Sequence, residues 1–187
     1  MSSTAYRSTV VVIGTAILLA IPLVAMQVTD EVAWTVGDFV FAGAILLGAG
    51  LAYVAATRRA GPQAYRWAVG VALAAALLLV WANGAVGLIG DEGNPANLMY
   101  GGVLAVGLAG AFVARLRAGG MARALFAAAA AQALVAVVAL VYGLGAPVTD
   151  AVEIVGTNGV FVLLWIGAGG LFLAAAQEPR PDVEPEV

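Results

Sequence analysis

Long apolar runs, broken by short polar stretches rich in Gly, Pro and Asp, set the pattern of this chain. Runs such as STVVVIGTAILLAIPLVAM (8–26) and ARALFAAAAAQALVAVVALVYGLG (122–145) reach the roughly 20 apolar residues that cross a bilayer core of about 30 Å. Reading the runs against their breaks predicts six spans, at about 9–28, 34–56, 67–89, 97–115, 122–144 and 152–176. Backbone polar groups in lipid must be satisfied within the segment, so the spans are helices. The apolar runs do not alternate at period two, which excludes a membrane β-barrel. The expectation is an all-α membrane protein with a single six-helix transmembrane domain over 1–177. A disordered acidic tail, 178–187, follows, because QEPRPDVEPEV (177–187) is too polar and Pro-rich to pack. The first span has the charged start of a signal peptide, but its apolar stretch is longer than the usual signal core, so it is expected to be retained.

Charge fixes an orientation. Arg7, then Arg58, Arg59 and Arg66, then Arg115, Arg117 and Arg123, then Arg180 all fall on one side of a six-span chain. The positive-inside rule makes that side cytoplasmic, with both termini inside, and the protein multi-pass in the cell membrane. The opposite loops carry Asp30, Glu31, Asp38, Asp91, Glu92, Asp150 and Glu153 with no basic partner.

The loops and even-numbered spans also repeat. Setting 28–57 on 148–177 pairs Val28/Val148, Thr29/Thr149, Asp30/Asp150, Phe41/Phe161, Gly50/Gly170 and Ala55/Ala175. Setting 38–61 on 97–120 pairs Gly43/Gly102, Gly48/Gly107, Ala52/Ala111, Val54/Val113 and Arg58/Arg117. The pattern is three helix hairpins of one orientation, as in transporter halves related by an axis along the membrane normal. Most intramembrane glycines lie in the even spans, among them Gly48, Gly107 and Gly169. Small residues let membrane helices approach closely. The even helices are therefore expected to pack tightly, with the odd ones facing lipid.

The composition, 63% hydrophobic and 10% charged, departs from the about 45–50% apolar and about 25% charged typical of soluble domains. No Cys, His or Lys occurs, and the serines (Ser2, Ser3, Ser8) sit at the N-terminal edge. Conventional haem, zinc and copper sites, Schiff-base chemistry and a buried Ser nucleophile are thereby excluded. No cofactor and no nucleic-acid partner are expected. The expected partners are the lipid bilayer and other membrane proteins.

Candidate chemistry is sparse. The repeat register sets Asp38, Asn97 and Asn158 at one position, the outer start of each even span, where N-capping accounts for them. The alternative is an outward-facing ring that, with nearby acids, attracts a cation. Asp91 and Glu92 in GDEGNPANLMYGG (90–102) offer hard oxygen ligands, but the stretch lacks the spaced acids and final Glu of a calcium loop. Within the spans the strongly polar side chains are Asn83 and Gln132, each accounted for by one interhelical hydrogen bond. Pro22 bends the first span, and Trp34, Trp67, Tyr100 and Tyr142 stand near span ends as an aromatic belt. The stretch GLIGDEGNPANLMYGG and the helix after it, about residues 80–135, resemble small multi-spanning bacterial membrane proteins, NPANLMY being the most specific element. The resemblance implies the membrane class and carries over no site residue. The function expected is a non-catalytic membrane protein, a subunit or accessory of a membrane complex. The alternative is a small transporter or channel with an acidic outer mouth. An intramembrane enzyme ranks third, since no motif pairs the acids with a nucleophile.

Overall fold

A computed structural model of the chain describes residues 3–58 and 62–178. Arg59, Arg180 and all but the first residue of the expected tail lie outside the described residues. The described chain is helical and contains no strand: α1 (Ser3–Val28), α2 (Val36–Ala56), α3 (Gln63–Ala85), a 3-10 turn (Pro95–Leu98) running into α4 (Met99–Ala114), α5 (Ala118–Val141) and α6 (Ala151–Gln177). Six helical segments, counting the 3-10 turn with α4, are long and apolar enough to cross a membrane. The expected third span runs to 89, but α3 stops at Ala85, because the chain turns there and Leu88 and Ile89 fold back toward Asn97.

Packing divides the chain into two compact units, Met1–Ala60 and Gly61–Val187. The first is the antiparallel hairpin of α1 and α2. At one end the Arg7 guanidinium donates to the Thr57 carbonyl at 3.4 Å. Along the hairpin Gly50 faces Val11 and Gly43 faces Leu19, where a β-carbon would meet the neighbouring side chain. Most of α1 is exposed apolar surface, with Ile13, Ile17, Ile21 and Val24 all outward.

The second unit holds α3 to α6, with α5 between α4 and α6, and α3 against the other side of α6. Sequence neighbours α3 and α4 barely touch. The interior stripe of α6 is Ile154, Asn158, Phe161, Trp165, Ala168, Phe172 and Ala175, alternating steps of four and three residues that keep one helical face inward. On α5 the matching face is mostly small: Ala122, Ala124, Ala128, Ala129, Gln132 and Ala139. These methyl-sized positions allow close approach: Gly110 of α4 lies against Ala124, and Gly169 of α6 lies under the Phe126 ring. Close packing supplies the association that hydrophobicity cannot drive between helices already in lipid. At one end the Tyr65 hydroxyl of α3 donates to the Leu116 carbonyl at 2.8 Å, and its ring meets Phe172 edge-on at 5.1 Å.

The expected set of tight even helices is corrected. In the second unit the contacts run α4 to α5 and α5 to α6, and odd-numbered α5 is the most buried of its helices. Among the described residues of its own unit, a β-carbon added at Gly48 or at Gly107 would meet nothing within 4 Å, whereas one at Gly169 would meet the Phe126 ring. A glycine in lipid is a contact only where its bare face meets a neighbour, and at Gly48 and Gly107 it does not.

Within each unit the charges segregate by end. Arg7 and Arg58 share one end of the hairpin, where Arg7 meets the Thr57 carbonyl. In the second unit Arg66, Arg115, Arg117 and Arg123 flank the start of α3 and the turn from α4 to α5, and Asp91, Glu92, Asp150 and Glu153 lie at the other end.

Candidate functional site: a polar core beneath a closed loop

Three of the candidate residues, Asp38, Asn97 and Asn158, are expected from the sequence to be helix caps. The N-cap of α2 is Thr35, whose hydroxyl accepts from the Asp38 N–H at 3.3 Å; Asp38 in turn accepts from the Thr35 N–H at 2.7 Å and its hydroxyl at 2.8 Å. This is a capping box, with Asp38 as its third-position partner. The turn leading into α4 is capped by Asn94, whose side chain accepts from the Ala96 N–H, with Pro95 at the first helical position. Helix α6 is capped by Asp150, which accepts from the Glu153 N–H at 2.8 Å. Asp38, Asn97 and Asn158 are therefore none of them caps. The signals that mark the real ones were in the sequence: T-x-x-D over 35–38, and Asn followed by Pro at 94–95.

Asn97 organises the loop between α3 and α4 instead. It is 5% exposed, and its Oδ1 accepts from the backbone N–H groups of Leu88 and Ile89, each at 3.0 Å. Its Nδ2 donates to the Asp91 carbonyl at 2.7 Å. The loop closes on itself through Gly87 and Gly90, whose φ values of 70° and 72° lie in the left-handed region where a β-carbon is disfavoured. It is also clasped to the segment before α6. The Thr149 hydroxyl both accepts from the Gly90 N–H and donates to its carbonyl, and Asn94 Nδ2 donates to the Leu144 carbonyl at 2.8 Å. Leu88 and Ile89 are buried by this fold-back. Asp91 and Glu92, by contrast, stand on the exposed tip. Among the described residues no three acids gather to hold a metal ion.

Deeper in the unit, three helices meet at Asn158. Its Oδ1 accepts from the Tyr100 hydroxyl of α4 at 3.2 Å and from Gln132 Nε2 of α5 at 2.9 Å. Its Nδ2 donates to the Ile154 carbonyl one turn back along α6. Gln132 is 0% exposed, Asn158 1% and Tyr100 1%, so none of the three reaches solvent or lipid. Tyr100, expected in the aromatic belt, is thus an interior residue, while Trp67 and Tyr142 are exposed.

Asn83 and Gln132 each make one bond to another segment: Gln132 to Asn158, and Asn83 Nδ2 to the Asn97 carbonyl at 3.3 Å. Each also carries a second polar atom that finds no partner among the described residues, Asn83 Oδ1 and Gln132 Oε1. Trp165 Nε1, on the α6 stripe at 4% exposed, is likewise unpartnered. A buried polar atom without a partner costs about 1–3 kcal/mol, so these atoms are where the interior has polar capacity to offer. In comparisons with protein families, curated proteins and solved structures, none matches this chain.

Proposed function

We propose that this chain is a non-catalytic multi-pass protein of the cell membrane that acts as a subunit or accessory of a larger membrane assembly. Its six helices descend from three copies of one hairpin, and its arginine-bearing ends and both termini face the cytoplasm. It belongs with the small multi-spanning bacterial membrane proteins that carry an NPANLMY-like outer loop. The observation that carries the functional reading is how the intramembrane polar side chains are engaged. Tyr100, Gln132 and Asn158 bind helices to one another, and Asn97 closes the loop at the acidic end. A transport path with an acidic mouth calls for acids lining an opening, whereas Asp91 and Glu92 stand on the tip of a loop packed down by Leu88 and Ile89.

Purification from native membrane in mild detergent, followed by reconstitution, separates this reading from transport. A stoichiometric membrane partner and liposomes no leakier than empty ones to ions and small solutes are expected. Saturable flux by the isolated protein would refute the proposal. Reporter fusions after Pro62, Gly119 and Arg180 should read as cytoplasmic, and those after Asp30, Gly93 and Thr149 as external. An external signal at Gly119 would reverse the orientation.

A further inference from the structure

Gln132 Oε1 and Trp165 Nε1 are an acceptor and a donor, both buried on the facing stripes of α5 and α6, and neither has a partner among the described residues. Two contacts fix the antiparallel register between these helices: Gln132 to Asn158, and Phe126 to Gly169. Trp165 lies on α6 between those two levels, seven residues from Asn158 and on the same face. Helical side chains lean toward the N-terminus of their own helix, which for Trp165 is the direction of Asn158 and Gln132. The other buried residues of α5 and α6 between these two contacts, Ala128, Ala129, Phe161 and Ala168, carry no polar side-chain atom. Asn158 is already engaged through both its oxygen and its nitrogen.

We infer that the four-helix unit holds a small neutral hydroxyl guest between α5 and α6, which donates to Gln132 Oε1 and accepts from Trp165 Nε1. The two protein atoms select this chemistry. A cation would face the indole N–H, an anion would face the amide oxygen, and a pure donor or pure acceptor would satisfy only one side. A hydroxyl carries both a proton and lone pairs. Water is its smallest form, and buried polar atoms are commonly completed by ordered water; a short alcohol shares the chemistry. This site is independent of whether the protein is an assembly subunit, because it concerns the interior of one unit.

The test is the indole N–H resonance of Trp165 in 15N-labelled full-length protein in deuterated detergent, assigned by its loss in Trp165→Phe. Should that variant not fold, elimination with Trp34→Phe, Trp67→Phe and Trp81→Phe assigns it. The expected result is a magnetisation-transfer cross-peak from water to this proton while the surrounding α5 and α6 amides stay protected from exchange. Ethanol titration separates the sources. A cross-peak unchanged by ethanol identifies water as the guest, and saturable replacement by an ethanol signal identifies a site that also takes short alcohols. Gln132→Leu or Gln132→Met should abolish the cross-peak with the indole resonance retained. A Trp165 proton with no cross-peak to water or ethanol would overturn the inference, as would one whose cross-peak survives both Gln132 variants. The spectrum of the unmodified protein decides whether a guest is present even if neither variant folds.

Discussion

Replacing Asn97 with alanine should destabilise the second unit more than any change to the acids beside it. The carboxamide satisfies two buried backbone donors, the N–H groups of Leu88 and Ile89, which alanine leaves stranded. At about 1–3 kcal/mol for each buried group left unsatisfied, the two together amount to about 2–6 kcal/mol. The Asp91 carbonyl loses the Nδ2 donor but keeps the Asn94 N–H at 3.1 Å, so it adds little. Water can enter from the exposed 91–93 tip, which brings the expectation to about 2–4 kcal/mol, the lower part of that range. Asn97→Asp is the informative companion. It preserves both acceptor contacts but turns an oxygen toward the Asp91 carbonyl where an N–H now sits at 2.7 Å, so its cost should be intermediate. Asp91→Asn and Glu92→Gln change only exposed side chains and should stay within about 0.5 kcal/mol. Equilibrium unfolding in mixed micelles, followed by tryptophan fluorescence, measures the series. An Asn97→Ala protein within about 0.5 kcal/mol of the original, or one no worse than Asp91→Asn, would refute the assignment of Asn97 as the loop's organiser.

Thr35→Ala should cost about 0.5–2 kcal/mol, the usual range for losing an N-cap, while Asp38→Asn should be nearly neutral because a carboxamide oxygen can still accept from Thr35; equal losses in thermal denaturation would mean that charge, not the capping box, matters. Gly110→Ala should lower thermal stability in detergent, since its β-carbon would lie 3.1 Å from the Ala124 Cα, with the about 1–3 kcal/mol typical of overpacking. Gly107→Ala meets nothing within 4 Å and should gain up to about 0.5–1 kcal/mol from helix propensity; the reverse order would overturn the packing scheme. Calcium or magnesium should produce no saturable rise in melting temperature, and a rise that Asp91→Asn removes would establish a cation site by linkage.

The six segments are legible because length and hydropathy suffice for that, but their ends are not: α3 stops at Ala85, four residues short of the expected 89, where the chain folds back. Which face of each helix turns inward is not legible either. On α6 the outward residues Val152, Val155, Val160, Leu163 and Ile166 are as apolar as the inward Ile154 and Phe161. Lipid and protein interior reward the same side chains, so hydrophobic periodicity loses the contrast it has in water. Glycine content misled for a related reason: it marks where close approach is possible, and only contacts such as Gly110 with Ala124 show where it occurs. Polar residues kept their information. Gln132 is legible in the sequence as an interhelical partner, whereas the register that sets Asn158 at a helix start hides it as the residue Gln132 meets.

That misassignment has a physical cause in where each helix begins. In the proposed repeat register Thr35 aligns with Asn94, and both cap, three residues ahead of Asp38 and Asn97. In the proposed third copy the cap is Asp150, so α6 starts earlier and Asn158 falls two turns inside the helix. The three residues aligned in that proposed register thereby meet three environments. At the exposed start of α2 a carboxylate is tolerated and serves the capping box. At Asn97 the side chain must accept from two N–H groups and also donate to a carbonyl, which a carboxylate cannot do. At Asn158, within the bundle, a charge would be costly, and the neutral amide accepts from two other helices while donating along its own. The change from Asp38 to Asn97 and Asn158 in the proposed register thus follows burial and the need for a donor, so a carboxylate placed at Asn158 should disrupt the three-helix junction even though Asp38 carries one at the start of α2.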